Sequence, residues 1–235
     1  SFSASSELDI SGDLLLTEDS DILIDLTVLM NGDHTIQGDI FQSVELHSGS
    51  VLRGSGLISS LSIEDTDTII APDVVLSDIN APSFTSMKIS NLFMTNTFTS
   101  KLSLDIDDSV NYSRIQIDQF DGSNGKLIVE VNDVFSTLQE GSLYYPIHSN
   151  LDDISNANIF YSPPQSSPQL LQTCSVLNVI GSSEILRVNL DDKSPFGEDV
   201  PPNTAMSLLV NTPPTAEDTT CSETCSFSED CSCCV

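Results

Sequence analysis

Hydrophobic and polar residues alternate along much of the chain. Across Asp21–Met30, Ile22, Ile24, Leu26, Val28 and Met30 share one face, and Asp21, Asp25 and Thr27 share the other. Leu102, Leu104 and Ile106 alternate with Ser103, Asp105 and Asp107. Ile115 and Ile117 alternate with Arg114, Gln116 and Asp118, and Leu127, Val129 and Val131 with Lys126, Ile128 and Glu130. A period of two places successive side chains on opposite faces of a strand, so each run predicts a strand with one buried face. Helical signals are weak, because Ala is scarce and β-branched residues, Ser and Asp dominate.

Small polar turns separate these runs: Asn31-Gly32-Asp33, Ser48-Gly49-Ser50, Gly54-Ser55-Gly56 and Asp121-Gly122-Ser123-Asn124-Gly125. Turns roughly every 8–12 residues predict an all-β sandwich, barrel or solenoid. The stretch 121–125, between two alternating runs, predicts an antiparallel hairpin. No strict repeat emerges, but strand and turn recur loosely about every 20 residues in the first hundred, the length of one β-helix turn. The fold expected is therefore a parallel β-helix. The alternative is a β-sandwich or jelly roll, which the hairpin at 121–125 favours.

Pro163, Pro164 and Pro168 break the pattern. Strand-like residues return across Leu170–Leu190 (Val176, Leu177, Val179 and Ile180, then Ile185, Leu186 and Val188), and Pro201, Pro202, Pro213 and Pro214 bracket a lone apolar strand, Met206–Val210. The expected organisation is a main β domain at 1–160, a smaller β region at 161–211 and a cysteine-rich tail at 212–235.

The stretch Val44-Glu-Leu-His-Ser-Gly-Ser-Val-Leu-Arg-Gly-Ser-Gly-Leu-Ile-Ser-Ser-Leu-Ser-Ile63, followed by Thr68-Ile-Ile-Ala-Pro72, resembles the repeat of bacterial autotransporter passenger domains and related β-helical adhesins. The stretch Leu102–Ile147, ending in Gly141-Ser-Leu-Tyr-Tyr-Pro-Ile, resembles the terminal part of such passengers. Together they cover about half the chain. The resemblance implies a β-helical fold and an extracellular, surface-fibre setting, and transfers no functional residue. The chain departs from such passengers in its six cysteines, and in reducing a Pro-Gly-Asn-Ser stop to Ala71-Pro72-Asp73.

Charge narrows the range of partners. The 235 residues include 7 Lys+Arg and 35 Asp+Glu, a formal net charge of −28. Seven cations make no phosphate footprint, so nucleic acid is excluded as an expected partner. Anionic lipid surfaces would repel the chain, and no run of eighteen apolar residues predicts a membrane-spanning helix. Acidity does not imply disorder here, since 39% of residues are hydrophobic. Tryptophan is absent and aromatics reach only 6%, so the expected core is aliphatic.

The cysteines are Cys174, Cys221, Cys225, Cys231, Cys233 and Cys234. The tail spacing lacks the form of a structural zinc site and has no nearby His. The expected chemistry is disulfide stapling in a secreted protein, with Cys174 tied to the tail, or else bonds between subunits. A chain beginning at Ser1 suits a processed secreted protein or a boundary within a longer one. Asn111-Tyr112-Ser113 is the one N-x-[ST] sequon, so Asn111 is the expected glycan acceptor. The 38 Ser and 17 Thr offer many further hydroxyls.

Acidic residues are dispersed, as at Asp105, Asp107 and Asp108, and read as a solvated surface. Ca²⁺ is conceivable, but no EF-hand or nonapeptide motif defines a site, and no cofactor is expected. His34, His47 and His148 stand apart in sequence, without a nucleophile elbow, a zinc-protease motif or a phosphate loop. No enzyme is expected. The function expected is that of a repeating subunit of an extracellular fibril, with copies of itself as partners. The alternatives are a monomeric adhesin or glycan-binding module, and a polysaccharide hydrolase or lyase.

Overall fold

The computed structural model describes residues 7–22, 27–75, 87–94, 97–108, 111–121, 125–133, 138–149, 159–163, 167–173, 175–191 and 205–211. All six cysteines fall outside them, as does the expected tail.

The protein is all-β. The strands are β1 (Glu7–Ser11), β2 (Leu14–Leu16), β3 (Asp21–Ile22), β4 (Thr27–Asn31), β5 (Asp33–Ile36), β6 (Asp39–Leu46) and β7 (Val51–Gly54). Then follow β8 (Leu57–Ile63), β9 (Thr68–Pro72), β10 (Val74–Val75), β11 (Met87–Met94), β12 (Thr99–Ile106), β13 (Tyr112–Ser113) and β14 (Ile115–Asp121). The last are β15 (Lys126–Asp133), β16 (Leu143–His148), β17 (Ile159–Tyr161), β18 (Gln169–Leu170), β19 (Val176–Ile180), β20 (Ile185–Asp191) and β21 (Ala205–Asn211). No helix among the described residues is long and apolar enough to cross a membrane.

These strands form one continuous mixed sheet of 21 strands. It has two parallel arms. Arm A runs β1, β4, β6, β8, β11, β14, β16. Arm B runs β2, β5, β7, β9, β12, β15. The chain alternates between the arms, so each strand pairs with one laid down a rung earlier. The early offsets are short: Leu14 pairs with His34 and Val51 with Ile69. They then lengthen: Leu57 pairs with Lys88 and Ile70 with Leu102. The recurrence of about 20 residues is therefore real in the first rungs and lost afterwards.

At the C-terminal side the arms are bridged by antiparallel strands. β21 pairs with β16 and β20, and β20 with β19. β19 then pairs in parallel with β15 of arm B, Val131 opposite Val179. The sheet is thus bent like a U, with β19–β21 at the bend and β1 and β2 at the two tips.

The register explains the core. In arm A, Ile22, Ile40, Ile58, Ile89 and Ile117 stack directly upon one another. In arm B the stack is Leu14, His34, Leu52, Ile70, Leu102, Val129 and Tyr161. Inward rows of both arms join in one buried cluster, largely of Ile, Leu, Val and Met. Burying each such side chain contributes roughly 1.5–3 kcal/mol, which lets an aliphatic core do without Trp. Small hydroxyls fill one corner: Ser50 Oγ donates to the Met30 carbonyl at 2.9 Å, and Thr68 Oγ1 to Ser100 Oγ at 2.8 Å.

Two sequence expectations are corrected. The runs flanking 121–125 do not form a hairpin. β14 joins β11 and β16 on arm A, whereas β15 joins β12 on arm B. The chain changes arms between Asp121 and Lys126, and residues 122–124 of the expected turn lie outside the described residues. The strand around Met206–Val210 is also not alone, since β21 has a partner on each side.

Candidate functional site

The two tips leave ladder edges open. Among the described residues β1 and β2 each have a partner on one side only. Their inward side chains lack the cover that the next rung enjoys. Leu8, Ile10, Leu14 and Ile22 are half-buried, while Val28, Met30, His34 and Ile40 beneath them are fully buried; Leu16 alone among these tip residues is buried, above Ile36. Leu15 on the outer face is 64% exposed. Both tips lie on one side of the molecule and carry Glu7, Asp9, Asp13 and Asp21. The first 52 residues contain no Lys or Arg, and Arg53 is the first cation. The tips therefore combine unpaired ladder groups, an apolar row and negative charge. Such an edge accepts an added strand.

A second feature lies at the bend. The outer edge of β15 is shared: β17 takes Leu127–Val129 and β19 takes Val131–Asn132. Between them lies a cleft of about 150 Å³, lined in part by Glu130, Tyr161, Ser162, Asn178 and Ile180. Glu130 Oε1 is 3.0 Å from Lys101 Nζ, and the Tyr161 hydroxyl donates to Gln169 Oε1 at 3.0 Å.

The three histidines remain apart in space. His34 is fully buried in the arm B stack. His47 lies 3.7 Å from Glu45 at the end of β6. His148 stands in register with Gln116, which is in register with Lys88. Nearby Asp118 accepts from Gln116 Nε2 and lies 3.3 Å from Lys88 Nζ. Burial lowers the pKa of His148, against an opposing pull from Asp118.

Asn111 sits in the turn between β12 and β13, half-buried. Its Nδ2 donates to Asp108 Oδ2 at 2.8 Å, and its backbone N–H to Asp108 Oδ1 at 2.8 Å. Asn111 is thus placed in a turn with its acceptor amide engaged by a carboxylate, while Tyr112 and Ser113 of the sequon are buried in β13. Among the described residues no group of three or more His, Cys, Asp or Glu is arranged to hold a metal.

What the sequence did not reveal is the use of the cations. Arg53 Nε lies 3.2 Å from Asp33 Oδ1, tying β7 to β5. Lys101 ties β12 to Glu130 of β15, Lys88 ties β11 to Asp118 of β14, and Lys126 lies 5.1 Å from the Phe160 ring centre on β17. Arg114 stacks 4.3 Å above the Tyr112 ring, which meets Tyr144 edge to face at 5.1 Å. Four scarce cations thus join neighbouring rungs, at sequence separations that only the register defines. Searches of family models, curated proteins and solved structures returned no match to this chain.

Proposed function

We propose that the two arms are faces of a parallel β-helix, and that the chain is a secreted structural protein that assembles with copies of itself into an extracellular fibre. The observation that carries this reading is the position of both unpaired tips on one side, opposite the antiparallel bridge. A contact made only through the tips cannot be repeated along a fibre. Two copies joined tip to tip would instead form a two-fold pair. A second kind of contact is then needed for a fibre. The tail cysteines, Cys221, Cys225, Cys231, Cys233 and Cys234, supply it if they bond between chains. Because the tips are acidic, pairing calls for cations to screen them. The reading assigns no catalysis to the chain.

Negative-stain electron microscopy with calcium, with and without a thiol reductant, tests it. Filaments that shorten to paired particles on reduction are expected. Uniform monomers under every ionic and redox condition would defeat the proposal.

The cleft beside Glu130 favours a second reading, a monomeric glycan-binding module. A carboxylate, an amide and a tyrosine beside apolar residues suit a sugar, with polar groups for its hydroxyls and an apolar face for its ring. Glycan-array binding lost in Asn178→Ala, by a chain that stays monomeric, would support it instead.

A further inference from the structure

His34 is the polar intruder in the arm B stack. Leu14 lies on one side and Leu52 on the other, with Ile70, Leu102 and Val129 beyond. It is fully buried, and neither ring nitrogen has a hydrogen-bond partner. An aliphatic residue would satisfy the stack better, as it does at every other position from Leu14 to Val129. We propose that His34 is an acid-sensitive plug: neutral, it fills the stack between β2 and β7; protonated, it leaves the core and frees the tip of arm B.

The surroundings offer the imidazolium little compensation. The carboxylates that act on it belong to Asp13 and Asp33. Asp13 Oδ1 already accepts from the Asp33 N–H at 3.3 Å, and Asp33 is paired with Arg53 of β7. Arm A faces the core with Leu8 and Ile10 of β1, Val28 and Met30 of β4, and Val44 and Leu46 of β6. Its charged residues Glu7, Asp9, Asp39 and Glu45 lie on the outward rows. Burial therefore dominates and lowers the pKa of His34 from its ordinary 6.5, with Asp13 and Asp33 pulling the other way.

The folded chain consequently binds fewer protons at this site than the open one. Stability of the tip is full above pH 6.5 and falls as pH drops below it, levelling off once His34 protonates within the fold. Position sharpens the effect, because the rung bearing His34 lies directly beneath β2. Opening it breaks the pairing of β2 with β5 and need not disturb the bridge. The inference concerns this chain alone and holds whether or not the protein forms a fibre.

Two measurements on the full chain test it. Proton NMR should show a histidine signal that titrates below 6.5, is lost in His34→Leu and persists in His148→Gln, since burial lowers the pKa of His148 as well. Hydrogen exchange of β2 and β5 should accelerate as pH falls from 7 to 5.5, after correction for intrinsic rates, by up to about tenfold per pH unit, the slope for one proton. His34→Leu and His34→Gln should abolish that slope, and His148→Gln should retain it. A His34 signal titrating at or above the ordinary value, or a slope that survives in His34→Leu, would overturn the proposal. Should neither His34 variant fold, the wild-type titration still decides, once His47→Gln and His148→Gln have assigned the other two signals.

Discussion

Backbone crowding at Gly54 and the placing of the few cations act where single side chains meet neighbouring rungs. Gly54 has φ +123°, and an added Cβ would come within 2.0 Å of the Ile36 carbonyl oxygen. Both the backbone conformation and the space therefore demand glycine. Gly54→Ala is expected to lose on the order of 3 kcal/mol in denaturant unfolding, from strain plus overpacking. A loss within experimental error would show that β7 can move away from β5. The ion pairs act on a smaller scale. Arg53 and Asp33 are about half exposed, so their pair contributes at most ~1 kcal/mol. Their value lies in fixing register, since a carboxylate matched to its cation only in the correct rung penalises slippage. None of this was legible beforehand. Gly54-Ser55-Gly56 reads as a turn, but the approach of Ile36 depends on a strand eighteen residues earlier. His34 likewise read as an isolated histidine, because its neighbours Leu14 and Leu52 are brought to it by pairing rather than by sequence.

Within a strand, alternation was the legible signal, and its reason is physical. Each arm buries one face, so a row of outward polar residues must separate the inward aliphatics. Leu102, Leu104 and Ile106 are buried as their spacing required, and so are Leu127, Val129 and Val131. Pairing was not legible. A parallel strand draws its partner from the other side of an excursion of sixteen residues or more, and nothing in Ile58 names Ile40 or Ile89. Turn chemistry misled for the same reason at 121–125, where a passage between arms uses hairpin residues. The isoleucine stack yields a graded expectation. Ile58→Ala, with isoleucines above and below, should cost about 2–5 kcal/mol. Ile22→Ala, half-buried at the tip, should cost clearly less, because its site can relax toward solvent. Equal losses in thermal or denaturant unfolding would mean that Ile22 is covered by something other than the rungs described.

The whole molecule behaves as two short stacks sharing one end. In stacked architectures each rung is stabilised mainly by its immediate neighbours, so opening starts where a neighbour is missing. Hydrogen exchange at pH 7.5 should therefore be graded, fastest in β1 and β2, slower in β6 and β7, and slowest in β12 and β15. Uniform protection would imply a single cooperative unit instead. The bridge has a further consequence, for synthesis. Strands β19–β21 are the last described portion to leave the ribosome, so a growing chain holds earlier strands for some time before their joining piece exists. During that interval the partly built sheet offers bare ladders at both ends, the condition in which nascent β-proteins stick together. Residues 1–52, made well before the bridge, carry ten acidic residues and no Lys or Arg. Its negative charge then works as a temporary guard between neighbouring nascent chains, with its greatest value before folding is complete.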